Sequence, residues 1–436
     1  MPRYVYDDFR ITFGAGADAR YPIRADHADR HWTGWFTLPM PLGELEQAVL
    51  AVARGGHGGR TTRDVGASFR SEVDAATIGS QLAGALLSGE IGEAYATALQ
   101  AVDRRDGRGL RLTLSLAETP ELLSIPWELL YRRPTFLAVQ PHLPLVRHVE
   151  VGPIVDPPVI DDAVRILGVV ASPHDLPALD VSAERQRVEQ AVAAMRSTGR
   201  VVLDWLQPAT PRRLREALRD HQYHAIHYVG HSSFGTDGDG PGEGVLYLEH
   251  PADGRATPLD STMLANLLGD QVQLQLVVLN SCEGARTTLT DPFAGVATTL
   301  IQSGVPAVVA MQFEISDAAA IVFAEELYTN LIARQDPIDA AVAEARKAVF
   351  VEVDELEWAT PVLFLRDPAI TLFSFQVDAA ALPATAPMEL LIPSVSPFLA
   401  VAATSVAAST QVSAAGPWPP PPVPGPGPGL TLADVI

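Results

Sequence analysis

Two short stretches place reactive side chains where an apolar run gives way to a glycine-bounded loop. "HYVGHSSFG" (227–235) carries His231 directly after Gly230, and "LVVLNSCEG" (276–284) carries Cys282, the single cysteine of the chain. A free thiol titrates near ~8.5, so it needs a neighbouring imidazole to raise its thiolate fraction and later to protonate a leaving amine. The types present therefore suit nucleophilic catalysis, with His231 as base and Cys282 as nucleophile. Backbone N–H groups in the same loops, those of Ser232 and Cys282, would be the donors to a developing oxyanion.

Other chemistries are weaker fits. A lone cysteine is most often a small buried hydrophobe, and only the strand-terminal histidine at a suitable distance argues against that here. His224, His227 and His231 have the i, i+3, i+7 spacing of helical metal ligands, but Ile226, Tyr228 and Val229 make the segment a strand, which would scatter them. Neither "GHSSFG" nor "LNSCEG" matches a serine nucleophile elbow, and no glycine-rich phosphate loop ends in Lys-Ser/Thr. No metal or cofactor is expected.

The elements that must hold these loops are legible as alternating periodicities. Apolar runs "VRILGVVAS", "YHAIHYVG", "QLQLVVLN" and "VPAVVAM" alternate with segments of helical spacing. Thr210-Pro211 and Asp291-Pro292 announce two helices, each with a side-chain oxygen at the N-cap and proline at the first position. Gly199 and Gly304 fall where helices need a left-handed terminator. The pattern predicts a parallel sheet covered on both faces, with loops gathered beyond the carboxyl ends of its strands. His231 and Cys282 would then leave the same edge from neighbouring or nearby strands.

Around this core the composition shifts twice. Residues 1–45 alternate apolar and polar, predicting a few antiparallel strands, and two segments of helical spacing follow. "GLRLTLSL" reads as a strand, "ELLSIPWELLYRR" as a strand-to-helix or turn segment, and "FLAVQPHLPLVRHVEV" as an extended pair. The proline-bearing "GPIVDPPVIDDA" marks a subdomain boundary. The division predicted is 1–105 as a strand and helix leader, and 106–376 as the main domain, split into 106–155 and 160–376. Residues 377–436, rich in Ala, Pro, Ser and Thr, read as a disordered linker or tail, with a proline-rich docking ligand as the alternative.

Charge and composition narrow the partners. A net charge of −21 disfavours phosphate-backbone binding, so no nucleic acid partner is expected. The longest apolar segment, "LLIPSVSPFLAVAATSVAA", is broken by Pro393 and Pro397, so no membrane span is expected. The start lacks the layout of a signal peptide, which makes the cytoplasm the default compartment. Lys347 is the single lysine, a bias that suits a GC-rich bacterial genome.

His231 and Cys282 stand about fifty positions apart, the spacing of the caspase signature, and "NSCEG" is a variant of its Q-A-C-x-G segment. With "LRLTLSL", "SIPWELLY", "ILGVVASPHDLPALDV", "IHYVGHSSF", "LVVLNSCEGA", "FAGVATTLIQSGVPAVVAMQFEISDAAAIVFAEELYTNL" and "WATPVLFL", residues from about 110 to 366 resemble the CHAT domain, the bacterial caspase- and separase-related peptidase family. The resemblance implies a caspase-like α/β/α sandwich with a mostly parallel central sheet, preceded by a smaller α+β N-terminal region. It also implies a cysteine endopeptidase acting on a protein substrate, with a His231–Cys282 dyad and a regulatory protein partner, in bacterial defence or cell-death signalling.

By the same resemblance, Asn280 stands where a caspase has a substrate-pocket glutamine, and the pocket loops hold Asp175, Glu314 and Asp317. Acidic residues there would favour Arg or Lys before the cut. Two features depart from the pattern. Ser232 stands where the family has glycine, and a Glu283 carboxylate turned toward the thiol would raise its pKa. "GTDGDGPGEG" and "EGARTTLTD" are the loops expected to hold the enzyme inactive until a partner or self-cleavage reorders them. The alternatives are a CHAT-fold scaffold without catalysis and an α/β sensor that binds a ligand in the same cleft.

Overall fold

The computed structural model describes residues 3–45, 47–48, 65–102, 106–151, 157–234, 244–281, 292–313, 315–353 and 356–375. They fall in one unit, Met1–Val377; a second unit, Asp378–Ile436, holds the predicted tail and lies outside the described residues.

Strands β1 (Val5–Phe13), β2 (Arg20–His27) and β3 (Arg30–Thr37) open the chain, followed by helices α1 (Val65–Leu86) and α2 (Gly89–Ala101). Then come β4 (Arg108–Ser115), β5 (Leu145–His148), β6 (Val164–Val170), α3 (Val181–Ser197), β7 (Val201–Leu206), α4 (Pro211–Asp220) and β8 (Ala225–Gly230). A small three-stranded sheet interrupts: β9 (Ser232–Phe234), β10 (Gly244–Glu249) and β11 (Ala256–Leu259). The remainder is α5 (Ser261–Leu268), β12 (Leu276–Ser281), α6 (Pro292–Gln302), β13 (Ala307–Met311), α7 (Asp317–Tyr328), α8 (Ile338–Glu352) and β14 (Pro361–Leu365).

The main sheet has eleven strands in the order β7-β6-β8-β12-β13-β14-β5-β4-β1-β2-β3. Its pairs are parallel except β13–β14, β1–β2 and β2–β3. Strands β8 and β13 are buried at every position, as a sheet covered on both faces requires. Alternate residues feed two cores. Val164, Ile166, Ala225, Val229, Leu276 and Val278 pack with α3, α7 and α8, whereas Leu167, Val169, Ile226, Tyr228, Val277 and Leu279 pack with α4, α5 and α6. The architecture is thus the predicted α/β/α sandwich with a mostly parallel sheet.

The local signals act as read. Thr210 Oγ1 accepts from the Arg213 amide and Pro211 opens α4. After α3 and α6, Gly199 (φ 72°) and Gly304 (φ 113°) turn left-handed. The next amides, of Arg200 and Val305, then donate back five residues to the Met195 and Leu300 carbonyls. Asp291 lies outside the described residues.

The N-terminal strands go beyond their sequence reading. β1–β3 are antiparallel as expected, but β1 also pairs in parallel with β4 from Val5↔Arg108 to Thr12↔Ser115, so the three N-terminal strands belong to the main sheet. "FLAVQPHLPLVRHVEV" forms a 3-10 turn at Leu137–Val139 before β5, where a second full strand was expected. "SIPWELL" holds the 3-10 turn Trp127–Leu129.

Beneath the β13–β14 end of the sheet lies a buried charge cluster. Arg147 of β5 donates to Glu128 Oε2 (2.7 Å) and to the Leu123 and Ile125 carbonyls. Gln312 donates to the same carboxylate oxygen (3.0 Å) and to the Ala359 carbonyl (2.7 Å). Arg346 of α8 donates twice to the Pro361 carbonyl and lies 3.7 Å from Glu128 Oε1. Burial pushes the Arg346 guanidinium down to about 10, with Arg147 acting in the same direction and Glu128 opposing.

Candidate functional site

Strands β6, β8, β12 and β13 are adjacent and parallel, so their carboxyl ends share one edge of the sheet. The β8–β12 register runs from Ala225↔Leu276 to Gly230↔Ser281. The next residue after Gly230 is His231, and the next after Ser281 is Cys282, which lies outside the described residues.

His231 is half-buried, and its Nε2 lies 2.9 Å from the Pro177 carbonyl oxygen. A carbonyl only accepts, so Nε2 carries the proton and Nδ1 is the basic nitrogen of the neutral ring. Nδ1 has no partner among the described residues. The carbonyl partner is itself held by a tied loop. Beyond β6, the Ser172 amide donates to Glu249 Oε1 (3.1 Å), His174 N to the Gly254 carbonyl (3.1 Å), and Leu179 N to Ser172 Oγ (3.1 Å). Asp180 then caps α3 through the Ala183 amide. Pro177 was missed in the sequence because a backbone carbonyl leaves no residue-type signal.

The backbone of His231 is also fixed. Its carbonyl accepts from the Tyr228 hydroxyl (2.8 Å) and from the Tyr247 amide of β10 (3.1 Å). Antiparallel pairs alternate between bonded and non-bonded, so with His231 bonded to Tyr247, Ser232↔Leu246 is a non-bonded pair. The Ser232 N–H is accordingly directed away from β10.

Of the pocket candidates, Asp175 is exposed, with Oδ1 accepting from the Ala256 amide (2.7 Å). Asp317 is exposed in the first turn of α7 and ion-paired with Arg187, which also binds Glu184. Asn280 pairs in register with Val229 and is 7% exposed; its buried Oδ1 has no partner among the described residues. Glu314 lies outside the described residues, although both flanks of its loop are anchored. Gln312 N donates to the Thr360 carbonyl (2.9 Å), and Ser316 N and Oγ donate to Glu357 (2.6 and 2.7 Å). Of the two loops with a predicted regulatory role, 235–244 and 283–291, all but Gly244, the first residue of β10, lie outside the described residues too.

The other histidines engage separate groups. His224 Nδ1 accepts from the Arg165 amide (2.9 Å), and His227 Nδ1 lies 2.8 Å from the Tyr328 hydroxyl. Among the described residues no three His, Cys, Asp or Glu side chains gather as a metal site, and no helix is long and apolar enough to cross a membrane.

An α/β/α sandwich in which two glycine-bounded loops leave paired central strands is the class of protein these features define. The CHAT domain family model matches residues 81–363, and the chain belongs to that family. No curated protein matches it. Among solved structures, the chain is similar to Saccharomyces cerevisiae separase in a separase–securin complex at 3.0 Å resolution, with 11% identity and a TM-score of 0.49 over 82% of this chain. A second such complex, at 2.6 Å, gives 12% identity and a TM-score of 0.44 over 84%. The chain spans 30% of either separase-containing chain.

Proposed function

We propose that this chain is a cysteine endopeptidase of the caspase type, with Cys282 as nucleophile and His231 as general base. The observation that supports the reading is the Gly230↔Ser281 register, which ends two neighbouring parallel strands one residue before His231 and one residue before Cys282 in the sequence, taken with a His231 ring whose outer nitrogen is tied to Pro177. In this mechanism His231 Nδ1 takes the thiol proton, and the thiolate attacks the scissile carbonyl carbon. The Ser232 and Cys282 amides receive the oxyanion. Protonated Nδ1 then gives its proton to the leaving amine, and water releases the acyl group by the same steps reversed in role. No cofactor is required.

The substrate in this reading is a protein, and the physiological setting is a bacterial defence or cell-death signalling pathway with a regulatory protein partner. CHAT family membership supports that setting. Asp175, Asn280, Glu314 and Asp317 are the pocket residues, favouring Arg or Lys before the cut. The loops at 235–244 and 283–291 hold the enzyme inactive until a partner or self-cleavage reorders them.

The test is alkylation by iodoacetamide across pH 5 to 9, comparing wild type with His231→Ala. Every label reports on Cys282, because the chain has one cysteine. Fast labelling near neutrality that slows at least about tenfold in the variant supports the dyad. Equal rates, with a midpoint near ~8.5, would overturn it.

A further inference from the structure

We infer that Tyr228 is a positioning residue for His231, its hydroxyl bracing the point where the chain passes from one sheet to another. The inference rests on the dyad reading above. His231 is the single residue between β8 of the main sheet and β9 of the small one. At that crossing the backbone of His231 keeps one ladder bond, from the Tyr247 amide, so any further anchor on its carbonyl and ring decides where the side chain stands.

Tyr228 supplies such an anchor. Its hydroxyl lies 2.8 Å from the His231 carbonyl and 2.8 Å from the Tyr247 carbonyl on β10, bridging the two sheets through one shared hydrogen. The ring reaches that position by lying back across Gly230, where an added Cβ would come within 2.4 Å of the hydroxyl oxygen and 2.6 Å of Cζ. Tyr228 is 3% exposed, so water competes little for the bond. The Tyr247 hydroxyl takes no part in this bridge; it lies 2.7 Å from Ser233 Oγ, and only the Tyr247 backbone meets His231 and Tyr228.

Pro177 holds the His231 ring at Nε2 and Tyr228 holds its backbone, and together they set where Nδ1 stands. Without the hydroxyl, His231 keeps the amide bond from Tyr247 but loses the brace to β8. Nδ1 then drifts from its aim, and a general base displaced by a fraction of an ångström transfers protons poorly.

The experiment is the pH profile of thiol alkylation for wild type, His231→Ala, Tyr228→Phe and Tyr247→Phe, each with a thermal melt. Expected is a Tyr228→Phe profile moved toward the free-thiol midpoint near ~8.5, with labelling at pH 7 slowed about tenfold. Tyr247→Phe, which keeps its backbone bonds, should label as wild type does. If Tyr228→Phe stays folded and matches wild type while His231→Ala is slow, the brace is wrong and the dyad stands. If His231→Ala matches wild type, the dyad fails and the brace with it. Should Tyr228→Phe unfold, Gly230→Ala decides. That variant keeps the hydroxyl but displaces it, so slow labelling supports the brace and wild-type labelling overturns it.

Discussion

His231 Nε2 lies 2.9 Å from the carbonyl oxygen of Pro177, and this one bond determines which nitrogen of the ring is free to act as a base. The consequence is spectroscopic as well as chemical. In protein labelled with ¹⁵N at histidine, the His231 ring above pH 8 should show protonated Nε2 and unprotonated Nδ1. The opposite tautomer would remove the Pro177 bond and the assignment of Nδ1 as base.

Acid should weaken the fold through His227. Burial lowers its pKa from the usual 6.5 to about 4, so between those values the unfolded chain binds the proton that the folded chain refuses. Stability is then complete above pH 6.5 and falls as pH drops toward 4, by roughly 3 kcal/mol from this residue. His148 and His224, also lowered chiefly by burial, act with the same sign. Urea unfolding at pH 7, 5.5 and 4.5 measures the slope, and His227→Gln should flatten it.

Among the described residues Glu128 is the one carboxylate that contacts both Arg147 and Arg346, and each of these side chains is 1% exposed. Removing it leaves two buried guanidinium groups without a counter-charge. Glu128→Ala should therefore cost about 3–5 kcal/mol, read as a lower urea midpoint. A loss below about 1 kcal/mol would mean that water reaches the cluster.

Asp175 offers a test that separates recognition from loop anchoring. If it lines the pocket, Asp175→Asn should lower kcat/KM for peptides with Arg or Lys before the cut about 10- to 100-fold, the worth of a charge-assisted hydrogen bond. Peptides with neutral residues there should be little changed. An equal loss for all peptides would assign Asp175 to holding the Ala256 amide alone. A library without basic preference would remove the acidic-pocket reading.

Much of the strand and helix pattern was legible because its signals are local. Thr210-Pro211, Gly199 and Gly304 specify helix ends by their own backbone chemistry, and the runs at β6, β8, β12 and β13 declare burial on two faces. The length of chain between His231 and Cys282 put β8 and β12 on neighbouring or nearby strands, and the register makes them neighbours. Pairings decided by distant contacts were not legible. Nothing in "YVYDDFRITF" announces that β1 lies against β4, and Arg147, Arg346 and Glu128 look like surface charges until their partners are known. Glu128 alone carried a hint, since it sits inside the apolar run "IPWELL". Tyr228 gave none, because a tyrosine in a buried strand reads as packing, and only the geometry gives its hydroxyl a task.

The order of strands also sets the order in which the molecule can be made. β5 stands beside β14 through Arg147↔Phe364 and His148↔Leu365, and β14 is the last strand of the main sheet to leave the ribosome. Until then the β5 side of the N-terminal strands is an open hydrogen-bonding edge, a template for pairing with another chain. Synthesis proceeds from the N-terminus, and sheets closed by distant segments form slowly. Chains cut short before residue 361 should therefore gather on chaperones or aggregate, and the emergence of β14 becomes the event that closes the sheet.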